Sequence, residues 1–177
     1  MCVIELQPMI RTARLGLRAP RRSDAARLTH LLNDFDVARN LSSLPWPYEK
    51  AHAEAFLTEK EFLDPEREAE FALDHPNHGL IGMLGFTDRG HDTVEVGYWL
   101  GRPYWGSGFM TEALDSALDW ASRGWCRTFI RAWHFADNPA SGAVLSKAGF
   151  LYTGDTRISR SAARGEDTLS RGMVWLA

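Results

Sequence analysis

The sequence predicts a mixed α/β (α+β) fold, built on a mostly antiparallel sheet with helices on both faces. Two features of the 177 residues carry this prediction. In the first half of the chain, short runs alternate apolar and polar residues, which is the period of a β-strand. After residue 101, apolar residues recur every three or four positions, and predicted helices then alternate with predicted strands.

The first half is expected to open with a short strand and two helices. Pro20 ends the strand Leu15–Ala19, and Ser23 or Asp24 can cap the first helix. The apolar side of this helix holds Ala25, Leu28, Leu31 and Leu32. A second helix is predicted over about Glu49–Leu63, and its apolar side holds Ala53, Phe56, Leu57 and Phe62. Pro45 and Pro47 oppose helix, so Leu41–Tyr48, between the two helices, is predicted to be a loop.

A three-stranded antiparallel meander follows, and its last strand opens the stretch around which the chain is organised. The strands are Phe71–Asp74, Leu80–Thr87 and Val94–Leu100, joined by the turns His75–Gly79 and Asp88–Asp92. Apolar residues then fall at helical spacing from Met110 to Ala121. The remaining elements are a strand at about Arg127–Phe135, a short helix at Pro139–Lys147, and strands at Phe150–Ser159 and Thr168–Leu176.

Between the strand and the helix lies a glycine-rich turn, Trp105–Thr111, which predicts a phosphate site made from backbone. Glycines allow a ligand to approach closely, and the start of the next helix offers unpaired N–H groups and a positive dipole end. A P-loop is excluded because Gly108 is followed by Phe109 rather than by Lys and Ser or Thr. A dinucleotide fingerprint is excluded because Thr111 stands where its third glycine would be.

Two motifs together resemble the GNAT acetyltransferase superfamily. Pro103–Gly108 is similar to its Gln/Arg-x-x-Gly-x-Gly/Ala motif, with Pro103 in place of Gln or Arg. Asn138–Phe150 is similar to its second motif, an Asn followed by a short helix that ends in Lys-x-Gly-Phe. The longer run Gly97–Leu114 resembles the branch of Rim-type ribosomal-protein N-terminal acetyltransferases. The resemblance covers a core of about residues 14–176, within a single predicted domain of residues 1–177.

The resemblance implies a sheet of six or seven strands, splayed between the fourth and the fifth, with acetyl-CoA in the splay. The pantetheine arm would bind the strand edge, and the pyrophosphate would bind the turn. The implied cofactor-binding residues are Tyr98, Trp99, Leu100, Trp105, Gly106, Ser107, Gly108, Phe109, Met110, Asn138 and Ser141. Strand packing is the alternative role for Tyr98 or Trp99, because neighbours on a strand point to opposite faces.

Glu95 and Ser141 are the predicted catalytic residues of an amine acetylation. Glu95 could accept the amine proton directly or through water, or it could be a solvent-facing strand residue. Many GNAT enzymes place a Tyr after the Asn to protonate the leaving thiolate, but this chain has Leu145 there. Ser141 is the nearest substitute, although it could equally be a helix N-terminal hydrogen-bonder. An N-terminal acceptor asks less of a base, since roughly 10–20% of an α-amine but only about 0.04% of a lysine is neutral at pH 7.

Trp46, Tyr48 and His134 are the predicted acceptor contacts. Trp46 and Tyr48 belong to a loop stiffened by two prolines, and in the resembling family this segment covers the acceptor side. The alternative for Trp46 is a place in the core between the two helices. His134 ends a strand near the site, and a surface position is its alternative. The six histidines lack metal-ligand spacing, so no metal is expected.

Composition limits the partners that this chain can have. The net charge of −3 argues against a nucleic-acid surface, and no apolar run is long enough to span a membrane. Cys2 and Cys126 are the only cysteines, which fits a reducing compartment. Met1–Ile10 lacks the pattern of a signal peptide, so we expect a cytoplasmic protein. The predicted function is acetyl-CoA-dependent acetylation of a primary amine, most readily a protein N-terminus, by a monomer or homodimer. A small-molecule amine acetyltransferase and a non-catalytic acyl-CoA-binding module are the alternatives.

Overall fold

A computed structural model describes residues 8–90 and 93–177 of the chain. Cys2, His91 and Asp92, which entered the sequence predictions, lie outside these ranges. Within these ranges, eight strands form one sheet in the order β1-β2-β3-β4-β5-β6-β8-β7. They are β1 (Ile10–Arg11), β2 (Gly16–Arg18), β3 (Glu68–His75), β4 (Gly79–Asp88), β5 (Val94–Leu100), β6 (Phe129–Phe135), β7 (Leu151–Ser161) and β8 (Glu166–Leu176).

Five α-helices of the described residues cover the sheet. They are α1 (Ala25–Leu32), α2 (Phe35–Ala38), α3 (Lys50–Lys60), α4 (Phe109–Arg123) and α5 (Pro139–Lys147). Two separate clusters of buried side chains show which face each helix covers. One cluster joins α4 and α5 to the sheet through residues such as Val96, Leu114 and Leu145. The other joins α1, α2 and α3 to it through residues such as Leu28, Val37 and Leu57. We call these two sides of the sheet the α4–α5 face and the α1–α3 face.

The sheet is splayed between β5 and β6, the only parallel pair among the described strands. Their pairing begins at Val94↔Ile130 and ends at Val96↔Ala132. β4 remains paired with β5 as far as Leu100, and β8 remains paired with β6 as far as Phe135. The far ends of β5 and β6 therefore diverge, and the β5 edge from residue 97 onward is open on the β6 side.

The predicted fold class is confirmed, with corrections in detail. The sheet has eight strands rather than six or seven. Two-residue β1 pairs only with β2 and is too short to show a period in the sequence. The second predicted helix, α3, ends at Lys60 rather than Leu63, and Phe62 is 81% exposed rather than part of its apolar side. The splay expected after the fourth strand follows β5, because β1 shifts the count by one.

Two further observations concern the predicted location of the protein. Within residues 8–90 and 93–177, no helix combines the length and the apolar character needed to cross a membrane. Cys126 takes part in a disulfide, which the small number of cysteines did not lead us to expect. A cytoplasmic location therefore stays a prediction.

Candidate active site

A cavity of about 470 Å³ lies where β5 and β6 diverge, and its lining comes from both faces of the sheet. Strand alternation separates the two groups of side chains. Tyr98 and His134 point to the α4–α5 face, where the glycine turn and α5 complete the lining. Glu95, Trp133 and Arg157 belong to the α1–α3 face, where residues 37 and 40–42 complete it. A group bound on one face can therefore meet a group bound on the other.

The glycine turn has the conformation that a backbone phosphate site requires. Gly106 and Gly108 have φ angles of 72° and 77°, in the left-handed region that L side chains rarely adopt. No side chain caps the start of α4 at Gly108, so the first N–H groups of this helix remain available to a ligand. The turn thus directs backbone donors and the positive end of a four-turn helix toward the cavity.

Arg14 fixes this turn from outside, a contact that was not predicted from the sequence. Its Nη1 donates to the Ser107 carbonyl at 2.9 Å, and its Nε pairs with the Glu112 carboxylate at 2.7 Å. Its guanidinium also lies 4.4 Å from the centre of the Phe109 ring. Ser107 does not line the cavity, whereas the other predicted turn residues, Trp105, Gly106, Gly108, Phe109 and Met110, do.

The open edge of β5 adjoins the turn. The Trp105 indole donates to the Leu100 carbonyl at 2.8 Å, which ties the end of β5 to the start of the glycine turn. Tyr98, Trp99 and Leu100 all line the cavity. Trp99 also packs against the cluster under α1–α3, so the strand-packing alternative applies to this residue as well.

Tyr98, Ser141 and Asn138 form a connected polar group across the splay. The Tyr98 hydroxyl donates to the Ser141 carbonyl at 3.0 Å and lies 3.0 Å from the Ser141 Oγ. The Ser141 N–H donates to the Asn138 side-chain oxygen at 3.2 Å, which caps α5. Burial raises the pKa of the Tyr98 phenol far above its ordinary value, so this hydroxyl keeps its proton and two hydroxyls face the cavity.

Glu95 lines the cavity on the α1–α3 face and is 20% exposed. Two guanidinium groups neighbour its carboxylate. Arg89 lies 3.4 Å from Oε1, and Arg157 lies 3.5 Å from Oε2. Both distances are long for a hydrogen-bonded ion pair, which leaves the carboxylate accessible to a water or an amine.

His134 lines the cavity on the α4–α5 face, opposite to Glu95. It is buried and not at the surface. Its Nδ1 is 2.8 Å from the Phe135 carbonyl, and its Nε2 is 3.0 Å from the Tyr152 hydroxyl. The carbonyl requires a proton on Nδ1, and the Tyr152 hydroxyl is within hydrogen-bond distance of Nε2. A methyl group at Gly142 would lie 2.9 Å from Nε2, so glycine is needed for this close approach to α5.

Of the three predicted acceptor contacts, His134 lines the cavity, whereas Trp46 and Tyr48 do not. Tyr48 is buried in the cluster beneath α1–α3, with its ring 5.6 Å from that of His52. Trp46 packs edge-on against Phe35 at 5.4 Å and is partly exposed. The structure thus places Tyr48 in the core. A core position had been the alternative predicted for Trp46.

The β7–β8 hairpin closes the α1–α3 side of the cavity, and the sequence did not predict this. Arg164 at its tip donates to both Asp137 carboxylate oxygens, at 2.6 and 3.1 Å, and to the Arg39 carbonyl at 2.7 Å. The Ala162 N–H donates to the Ser42 carbonyl. The Arg164 guanidinium also lowers the pKa of the Asp137 carboxyl. These bonds join the hairpin to residues 39–42 and to the segment that leads into α5.

Comparison with known proteins identifies the family of this chain. Residues 14–151 match the family model described as an acetyltransferase (GNAT) domain. A ribosomal-protein-serine acetyltransferase of Escherichia coli K12 is 33% identical over 78 residues, which cover 42% of this chain and 43% of that protein. The chain thus aligns with less than half of that relative's length.

Solved structures share the fold over nearly the whole chain. An acetyltransferase from Salmonella typhimurium that modifies the N-terminal serine of a 50S ribosomal subunit protein superposes with a TM-score of 0.82, at 18% identity, over 96% of this chain and 99% of that one. A spermidine N-acetyltransferase from Vibrio cholerae, in complex with CoA and spermine, superposes with a TM-score of 0.77, at 20% identity, over 93% and 96%. With the family match over most of its length, the chain belongs to the GNAT family and is an acetyl-CoA-dependent N-acetyltransferase.

Proposed function

We propose that the acceptor is an α-amino group, most readily the N-terminus of a protein or peptide. The observation that carries this proposal is Glu95, the single carboxylate that the described residues contribute to a cavity next to the unpaired edge of β5. An α-amine is already partly neutral near pH 7, so it needs only modest help to lose its proton. The partial sequence similarity to a ribosomal-protein-serine acetyltransferase supports the same acceptor class.

Acetyl-CoA would bind on the α4–α5 face. Backbone N–H groups of Gly106–Met110 would hold its pyrophosphate, and the open edge of β5 would pair with the pantetheine amides. The thioester would then lie near Tyr98 and Ser141, where the two strands separate. Asn138 has already used its side-chain oxygen to cap α5, so its side-chain NH₂ remains for the cofactor or the acceptor.

The reaction is direct attack of the amine nitrogen on the thioester carbonyl. A C–N bond forms, the C–S bond breaks, and CoA leaves as a thiolate. Glu95 takes the proton of the amine, directly or through one water. The Ser141 hydroxyl donates to the leaving sulfur and stands in for the tyrosine that many GNAT enzymes have where this chain has Leu145. The Tyr98 hydroxyl donates to the Ser141 carbonyl and so holds Ser141 in place.

A polyamine acceptor is the main alternative, because the spermidine N-acetyltransferase shares the fold. Charge argues against it here. A polycation is best held by several carboxylates, whereas Arg89 and Arg157 both lie within 4 Å of the one carboxylate in this cavity. The fold similarity alone does not choose between acceptors.

An acceptor panel with detection of free CoA thiol tests the proposal. The panel holds peptides with a free N-terminus, the same peptides blocked at the N-terminus with one internal lysine, spermidine, and amino-acid amides. We expect the free N-terminal peptides to give the highest kcat/KM and the blocked peptides to give almost none. Faster turnover of spermidine or of the blocked lysine peptides would overturn the proposal.

A further inference from the structure

Arg157 is a cation built into the acceptor side of the cavity. It lies on β7 opposite Ser170 of β8, and both residues line the cavity. Its guanidinium lies 4.2 Å from the centre of the Trp133 ring, and its Nε donates to the Ser159 Oγ at 3.2 Å. An aromatic ring beneath and a hydroxyl at one edge hold the planar group in one orientation.

The other edge of this guanidinium faces the cavity. Nη1 lies 3.5 Å from the Glu95 Oε2, and none of the described residues accepts a hydrogen bond from Nη2. The side chain is 44% exposed although it belongs to a cavity wall. The N–H groups of Nη2 can therefore donate charge-assisted hydrogen bonds to a carboxylate or phosphate of a bound acceptor.

The charges that line the cavity support an anionic group on the acceptor. They are Glu95, Lys147 and Arg157, and Lys147 belongs to α5 on the other face. Around Glu95, the pairs with Arg89 and Arg157 give two positive charges for one negative charge. This excess of positive charge attracts an acceptor with a negative group and disfavours one with further positive charge.

We propose that Arg157 selects acceptors that carry a carboxylate or phosphate group close to the amine that is acetylated. The two groups of the acceptor must be close because Arg157 and Glu95 are themselves in contact. This inference rests on the proposed function, since it places the reacting amine at Glu95. The anionic group could be an acidic residue beside a peptide N-terminus or part of a small amino compound.

Matched peptides test the selection. Three peptides that begin with Ser and differ only in the second residue, Glu, Gln or Lys, are compared by kcat/KM. We expect the Glu peptide to exceed the Lys peptide by about tenfold, mainly through KM. Arg157→Gln should remove this difference, and Arg157→Lys should restore part of it. Arg160→Gln is the control, because Arg160 lies on the same strand and does not line the cavity.

A second arm tells the two sources of the anionic group apart. Free serine and free aspartate are compared with their carboxamides in the same assay. Turnover of peptides with a preference for Glu would identify the acceptor as an acidic peptide N-terminus. Turnover of the free amino acids alone would identify it as a small anionic amine. Both outcomes support the proposed role of Arg157. Turnover without any preference for negative charge, or a preference that survives Arg157→Gln, overturns the inference. No turnover with any amine would instead overturn the proposed function.

Discussion

The two faces of the sheet contribute to the cavity in different ways. On the α4–α5 face, one stretch of chain supplies the strand edge, the glycine turn and the start of α4, and its binding groups are mainly backbone. On the α1–α3 face, the groups are side chains, and they come from β5, β6, β7, β8 and the segment after α2. Most binding groups of the first face come from one continuous stretch, to which α5 is added, whereas the second face exists only when several distant segments pack together.

This difference suggests a division of labour. Backbone groups cannot be changed by most substitutions, so they suit a cofactor that stays the same throughout a family. Side chains on separate segments can change one at a time, so they suit the recognition of an acceptor that differs among relatives. Substitutions on the α4–α5 face should therefore alter CoA affinity, and those on the α1–α3 face should alter acceptor kinetics.

Glu95→Gln gives the largest expected effect and tests the α1–α3 face directly. The amide keeps the shape of the side chain but cannot accept the proton, so kcat should fall by roughly 10²- to 10⁴-fold. CoA affinity by calorimetry should be unchanged. Arg89→Gln is the control, because Arg89 neighbours Glu95 without lining the cavity. A rate within about threefold of the parent protein would mean that Glu95 is structural.

Glu70 makes the α1–α3 side of the sheet sensitive to pH. Burial raises the pKa of this carboxyl from 4.5 to about 7, while Lys60 lies 3.8 Å away. Because the folded-state pKa is the higher one, Glu70 stabilises the fold fully below pH 4.5 and this contribution is lost as pH rises through 7. The shift corresponds to roughly 3 kcal/mol at about 1.4 kcal/mol per pH unit.

Urea unfolding at pH 5 and pH 8 measures this effect. The free energy of unfolding of Glu70→Gln should change less between the two pH values than that of the parent protein. Glu166→Gln, which removes an exposed carboxyl at the start of β8, should behave like the parent. Equal pH dependence in Glu70→Gln and the parent would show that Glu70 is solvated and that its burial has no such consequence.

Gly108→Val tests the α4–α5 face. At a φ of 77° a β-branched residue is strained, so the turn should shift and CoA affinity should fall by roughly tenfold or more, for a strain of about 1–3 kcal/mol. Gly154→Val is a matched control, since Gly154 has a φ of 85° and lies outside the cavity. Both variants should lose stability, but only Gly108→Val should lose CoA binding. Equal CoA affinity in the two folded variants would show that the glycine turn does not bind the CoA pyrophosphate.

Two tryptophans provide the smallest contrast. Trp133 lines the cavity beneath Arg157, whereas Trp46 lies outside it against Phe35. We expect Trp46→Ala to change the acceptor KM by less than about threefold, with a loss of stability of about 1 kcal/mol for a partly exposed side chain. Trp133→Ala should raise the acceptor KM clearly. A larger change of the acceptor KM in Trp46→Ala would show that the loop holding Trp46 does contact the acceptor.

The sequence predicted most of the fold, because its strands and helices have strong periods. The helix α4 and the turn before it follow from the apolar spacing and the glycines of one continuous stretch. The four-residue α2 and the two-residue β1 escaped prediction because neither is long enough to show a period. Phe62 was wrongly assigned to the second predicted helix, because it continues the helical spacing although the helix has already ended.

The site was predictable to the extent that it is local. The turn residues and Asn138 belong to short motifs, so their positions could be read from the chain. Arg14 and Arg164 reach the site from residues that are distant in sequence, and nothing in their own neighbourhood indicates it. Arg157 and Ser159 lie in the predicted strand Phe150–Ser159, and the sequence there indicates no more than a strand. Their place in the cavity depends on the pairing of β7 with β8 and of β8 with β6.

A crystal structure with bound CoA tests the central claim, that cofactor and acceptor meet where β5 and β6 diverge. We expect the pyrophosphate on the N–H groups of Gly106–Met110, the pantetheine along the open edge of β5, and the sulfur beside the hydroxyls of Tyr98 and Ser141. Glu95 should then face the sulfur from the other side of the sheet. CoA bound elsewhere on the molecule, with the space between β5 and β6 unfilled, would contradict the account.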